Sequence, residues 1–180
     1  MKSLKACMWL ACLCLPGFTL PAQARVVEQA PQRFTIENSE WVPVTPTEAW
    51  QAMTDDVGRW WPADHTWWGD STRLSLSDQV GGCFCEKDGA RQAWHMSVVY
   101  IEPARLLRMT GGLGPLQGMG VDGVMEWRLT EENGGTRITW WYRAGGQVPD
   151  DLTKLAPIVD RVQGEQLGGL ARHLRQGRAN

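Results

Sequence analysis

The sequence is short of several things, and each shortage excludes something. It has no uninterrupted apolar segment of the ~20 residues that a membrane-spanning helix needs. Its longest apolar run, Ala6 to Leu20, is interrupted by Pro16 and Gly17. It has no surplus of positive charge: 18 Lys and Arg stand against 20 Asp and Glu, for a net charge of −2. That balance leaves no basic stripe to neutralise phosphates and argues against a nucleic-acid partner. Phenylalanine and tyrosine are scarce, at 3 and 2, and so is histidine, at 3. Against these stand 11 tryptophans. A chain so biased either packs unusually large rings or lines a space with them. A length of 180 residues, 43% apolar and 21% charged, fits one globular domain and excludes a disordered or collagen-like chain. Two full domains would not fit.

The N-terminus has the pattern of a secretory signal. Lys2 and Lys5 give the positive start, the apolar run follows, and Ala22-Gln23-Ala24 is a small-x-small cleavage site. Residues 1–24 are therefore expected to be removed in export, to the periplasm or the outside, leaving no stable membrane span. An uncleaved anchor is the plainer alternative, and a lipoprotein signal at Cys12 is weaker because the apolar stretch before it is short. Removal takes away Trp9, Cys7, Cys12 and Cys14, so Cys83 and Cys85 are the only cysteines left to an oxidising compartment. Their i, i+2 spacing in an extended segment lies at the edge of disulfide geometry. A local bridge and two free buried thiols are both open.

Residues 25–32 read as a loose leader and residues 33–176 as one domain. Residues 33–44 form an alternating strand. Thr45-Pro46-Thr47-Glu48 is a capping box with proline at the first helical position, opening a short helix. A second short helix runs from Asp56 toward Trp60 and Trp61, and Pro62 ends it. Residues 63–80 are turn-rich. Strands follow at 83–86, 91–101, 105–110, 124–130 and 136–143, with a turn at Asn133-Gly134. In the last two, Met125, Trp127 and Leu129, and then Ile138, Trp140 and Tyr142, share one face. Leu155, Val159, Val162, Leu167, Leu170 and Leu174 recur at helical spacing and predict one long amphipathic C-terminal helix. The fold class is α+β, with a curved antiparallel sheet whose apolar face only that helix is long enough to cover.

The chain from Phe34 to Leu174 resembles the SRPBCC superfamily, also called START or Bet v 1-like, and within it the bacterial Hsp90-ATPase-activator-like and polyketide-cyclase-like group. The residues that carry the resemblance are Val44-Thr45-Pro46-Thr47-Glu48-Ala49-Trp50, Trp60-Trp61, Gly81-Gly82-Cys83-Phe84-Cys85-Glu86 and Val99-Tyr100-Ile101-Glu102-Pro103, ahead of the final helix. It implies the helix-grip: a sheet of about seven strands around a long C-terminal helix, with two short helices after the first strand. It also implies a hydrophobic or amphipathic small molecule held between sheet and helix. Some members are cyclases or dehydrases, and others carry lipids. Cys83 stands where the group often has Arg. The superfamily has no shared catalytic set, so no catalytic role passes to any residue of this chain.

The expected ligand-binding set is Trp60, Trp61, Trp67, Trp68, Trp94, Met96, Met119, Met125, Trp127, Trp140 and Tyr142. Core packing competes with this reading at about half of them. If a reaction is catalysed, His65 or His95 is the candidate general base, with Glu86 or Glu126 orienting it. Gly118 to Gly123 matches G-x-G-x-x-G, but a strand follows it where a dinucleotide site needs a helix, so no nucleotide is expected. The wider Gly111–Gly123 loop reads either as a lid carrying Leu113, Leu116 and Met119 or as a plain connection. No cofactor is expected. No metal is expected either, because C-x-C lacks both zinc spacing and a second pair.

Overall fold

Alternation of apolar and polar residues builds the sheet, and the computed structural model describes it over residues 25–148 and 151–177. The strands are β1 (Arg25–Ala30), β2 (Arg33–Val42), β3 (Leu74–Leu76), β4 (Cys83–Asp88), β5 (Arg91–Glu102), β6 (Leu106–Thr110), β7 (Asp122–Glu132) and β8 (Gly135–Gly145). They form one antiparallel sheet in the order β1-β2-β8-β7-β6-β5-β4-β3. The β7–β8 turn is Asn133-Gly134, with φ of 52° and 72°, the left-handed pair that matches strand twist. The signal expected in residues 1–24 lies outside the described residues.

Helix α1 (Pro46–Asp55) begins as its sequence predicts, with the Thr45 side chain accepting from the Glu48 backbone and the Glu48 carboxylate accepting from the Thr45 backbone. Helix α2 (Val57–Trp60) follows, then two 3₁₀ turns at Ala63–His65 and Ser71–Arg73. Helix α3 (Pro115–Gly118) sits in the glycine-rich loop, and α4 (Ala156–Gln176) closes the chain. α4 packs on β2, where Asn38 donates to the Asp160 carboxylate at 3.1 Å. Burial pushes the Asp160 carboxyl above its ordinary range, against the opposing pull of Asn38. Gly169 lets α4 reach α2: a Cβ there would stand 2.4 Å from the Trp60 carbonyl oxygen.

Two expectations change. Residues 25–30 are not a loose leader but the edge strand β1, because the free edge of β2 offers backbone partners to the extended Val26-Val27 segment. This gives eight strands where about seven were expected. The alternation of β5 also breaks twice. Phe84 faces Met96 while Cys85 faces Trp94, so His95 is an extra residue, and a second shift falls between Val98 and Tyr100. Such bulges re-aim side chains. Here the first turns His95 and Met96 inward together and leaves Trp94 half exposed.

The concave face is filled by aromatic rings. Trp127 and Trp140 are register partners on β7 and β8 and stack at 4.4 Å with an interplanar angle of 6°. Trp60 packs edge-on to Trp127 at 6.1 Å, Trp61 stacks on Trp140 at 6.2 Å, and Phe84 closes the cluster against Trp61 at 5.0 Å. Each such pair contributes about 0.5–1.5 kcal/mol beyond area burial. Trp127→Ala is expected to cost about 3–5 kcal/mol in urea unfolding. Trp94→Ala, at the exposed end of β5, is expected to cost less than about 1 kcal/mol.

Candidate functional site

A filled interior displaces the open space to its mouth. A cavity of 380 Å³ lies where three segments meet: residues 61–67, residues 113–119, and the first half of α4. Trp61 and Trp67 form one wall, with Leu113, Leu116 and Met119 opposite. Val159, Val162, Gln163 and Gln166 of α4 form the third side. The volume falls in the ~300–1,000 Å³ range of small-molecule sites. The glycine-rich loop thus places its apolar side chains at the mouth, through the single turn of α3.

Buried polar groups fix the two loops. Glu86 is fully buried on β4, and its carboxylate accepts from the backbone N–H of Trp67 at 3.0 Å and of Trp68 at 3.2 Å. His95 brings Nε2 to 3.4 Å from the same carboxylate. A buried polar group needs this degree of hydrogen bonding. Burial holds the His95 imidazole below its ordinary pKa, and the Glu86 charge only partly offsets it. On the other side the Tyr142 hydroxyl donates to the Gly111 carbonyl at 3.2 Å and accepts from the Leu113 N–H at 3.4 Å. Burial raises the pKa of that hydroxyl, so it stays protonated. Gln117 donates to the Trp94 carbonyl at 2.7 Å and fastens α3 to β5.

The structure sorts the expected residues into three groups. Trp61, Trp67, Met119 and His65 line the cavity. Trp60, Met96, Met125, Trp127, Trp140 and Tyr142 do not: they are buried in the core beneath it, because the rings pack against one another rather than around a space. Trp68 and Trp94 point elsewhere, Trp68 under the Arg91 guanidinium and Trp94 donating to Ser97 on the outer side. Among the acid–base candidates, His95 meets Glu86 but neither lines the cavity. Glu126 lies on the opposite face of the sheet, bonded by Arg108 at 2.6 Å and Arg128 at 2.7 Å. Burial pushes the Glu126 carboxyl up, but the two arginines outweigh it and hold it low. The partner of His65 is Glu165, whose Oε2 lies 3.2 Å from Nε2.

Among the cavity residues that escaped the sequence reading are Gln163 and Gln166, and Glu165, which stands behind His65 outside the lining, escaped it too. A signal existed. Gln163 sits four residues from both Val159 and Leu167, inside the apolar stripe of α4, where an amide has no place in a plain core face. Cys83 and Cys85 are bonded, with Cα atoms 5.4 Å apart. That separation lies inside the range of roughly 4.4–6.8 Å that a disulfide spans. Among the described residues no group of three or more His, Cys, Asp or Glu is placed to hold a metal ion. No described helix is long and apolar enough to cross a membrane.

An antiparallel sheet gripping a long C-terminal helix, with two short helices after the first long strand, defines a helix-grip protein. The chain belongs to the family described as polyketide cyclase / dehydrase and lipid transport, whose profile matches residues 33–175. Solved structures share the fold. CalU16 from Micromonospora echinospora is 18% identical, with 87% of this chain and 85% of that one covered at a TM-score of 0.60. The Mll3558 protein from Rhizobium loti is 20% identical, with 79% and 97% covered at 0.57. The Aha1 dimer from Colwellia psychrerythraea is 15% identical, with 78% and 96% covered at 0.55. No curated protein matches the chain in sequence.

The depressed pKa of His95 sets a pH dependence. An imidazole that stays neutral when folded contributes stability above its unfolded pKa of about 6.5, and that contribution is lost as pH falls through the lower folded value. Thermal melts at pH 7 and pH 5 should therefore show a larger loss for the native chain than for His95→Gln. Glu86→Gln places an amide N–H₂ against a backbone N–H. It should speed hydrogen exchange at Trp67 and Trp68 more than in β7 and β8.

Proposed function

We propose that this protein binds a hydrophobic or amphipathic small molecule in the cavity between α4 and the loops 61–67 and 113–119. The single observation that carries the reading is the cavity itself, with Trp61, Trp67, Leu116 and Val162 in its walls and both flanking loops fastened from beneath. Membership of a cyclase/dehydrase and lipid-transport family supports it. So does magnitude. Burial contributes about 0.8 kcal/mol per methylene, so a ten-carbon portion gains ~8 kcal/mol against an association cost of at least ~4 kcal/mol. The net of about 4 kcal/mol corresponds to roughly millimolar affinity from apolar contact alone. Val162→Trp, which fills the cavity from α4, should weaken binding of a naphthalene-sized probe about tenfold or more while changing stability by less than about 1–3 kcal/mol. Equilibrium dialysis and a urea melt check both halves.

The site of action in this reading is the periplasm or the exterior. The signal pattern of residues 1–24 supports export, and the Cys83–Cys85 bond fits an oxidising compartment. Mass spectrometry of exported protein should give a mature chain starting at Arg25. A chain retaining Met1 contradicts cleavage.

A second reading, catalysis of the cyclase/dehydrase type, is favoured by one observation. His65 lines the cavity with Glu165 held against its Nε2, the arrangement of a base and its orienter. Glu165 thus takes the orienting place expected of Glu86 or Glu126. This reading requires conversion of a bound compound, and ligand recovered unchanged after long incubation contradicts it.

A further inference from the structure

Residues that line the cavity carry polar atoms with no hydrogen-bond partner among the described residues. Gln163 is fully buried, and neither its Nε2 nor its Oε1 has a hydrogen-bond partner. Oε1 of Gln166 and Nδ1 of His65 are buried and unpartnered as well. All three residues line the same cavity. Buried polar atoms left in this state are costly, and each calls for an explanation. Four such atoms on three residues around one cavity, from adjoining turns of α4 and the 61–67 segment, are explained together by a ligand that supplies the missing partners.

The inventory of atoms specifies what that ligand brings. With Glu165 Oε2 3.2 Å from Nε2, a neutral imidazole that carries its proton on Nε2 presents Nδ1 as an acceptor. The Gln163 and Gln166 oxygens are acceptors too, and the Gln163 amide nitrogen is the one unpartnered donor. The wall therefore needs hydrogen donors more than acceptors. Its charge points the same way. Among the described residues no Lys or Arg lines the cavity, Asp64 does, and Glu165 stands behind His65. The nearest cation to that carboxylate, Arg161, is bonded to Glu165 at 3.2 Å and is not part of the lining. An anionic head group would enter unpaired and meet the Asp64 carboxylate, with Glu165 behind His65.

We infer that the cavity selects apolar compounds carrying a neutral, hydrogen-donating head, a hydroxyl or phenol, and rejects the corresponding carboxylates. This rests on the cavity being the ligand site. The hydroxyl donates to Nδ1 of His65 or to a glutamine oxygen, and its own oxygen accepts from Gln163. Fatty acids, which share the apolar part, are excluded by the head.

The test compares 1-naphthol, naphthalene and 1-naphthoate by equilibrium dialysis against the full chain at pH 7. Naphthol should bind about five- to tenfold more tightly than naphthalene, the worth of one buried hydrogen bond, and naphthoate more weakly than either. Gln163→Leu should melt higher than the native chain, keep naphthalene binding and lose most of the preference for naphthol. Naphthoate binding as tightly as naphthol overturns the inference while leaving the cavity as a ligand site, and so does a preference that survives Gln163→Leu. A Gln163→Leu chain that melts lower shows that the amide is already satisfied, and also overturns it. Failure of all three probes removes the cavity reading itself.

Discussion

The face-to-face stack of Trp127 on Trp140 is the contact on which the arrangement of this molecule depends. The two rings are cross-strand partners on the central pair β7 and β8, so their position is set by register rather than by chance contact. Trp60 and Trp61 then lie on them from above, and Phe84 from the side. A strongly curved sheet and a straight helix do not match in shape. In this chain the mismatch is filled with indole over the middle of the sheet and left open where the loops 61–67 and 113–119 meet α4. The stack carries a cost, since Nε1 of Trp140 is buried without a partner. Packing of the surrounding rings offsets it.

Because the interior is closed, the cavity depends on two loops, and both are held by polar groups rising from the sheet. The bulge at His95 matters here. It brings an imidazole inward beside Glu86, and Glu86 in turn accepts the backbone N–H groups that carry Trp67 to the rim. Tyr142 does the same for Leu113 on the other side. The buried acid–base pair therefore acts on the position of the cavity wall. The histidine that meets the cavity is His65, on the far side of the same loop.

Much of the fold was legible in sequence. The capping box at Thr45–Glu48, the two faces of β7 and β8, the Asn133-Gly134 turn and the long C-terminal helix follow from local chemistry that tertiary packing did not override. The edge strand β1 was not, because Arg25–Ala30 pairs through its backbone and buries little of itself. The site was legible only in part. Alternation shows which residues share a face, but not whether that face meets a ligand or another ring. Trp127, Trp140 and Met125 were on the expected face and yet belong to the core. The bulge in β5 parts Trp94 from Met96, since the extra residue His95 turns inward beside Met96 and leaves Trp94 half exposed. Gln163 was readable as a polar residue in an apolar stripe, but its partnerless state exists only once α4 is packed.

The central claim is that the ligand site is the mouth between α4 and the two loops, not the concavity of the sheet. A crystal structure with 4-bromo-1-naphthol, its bromine located by anomalous scattering, tests that claim most directly. The account predicts the bromine among Trp61, Trp67, Leu116 and Val162, with the hydroxyl toward His65 and Gln163. A bromine lodged between Trp127 and Trp140, or on the outer face beside Trp94, contradicts it.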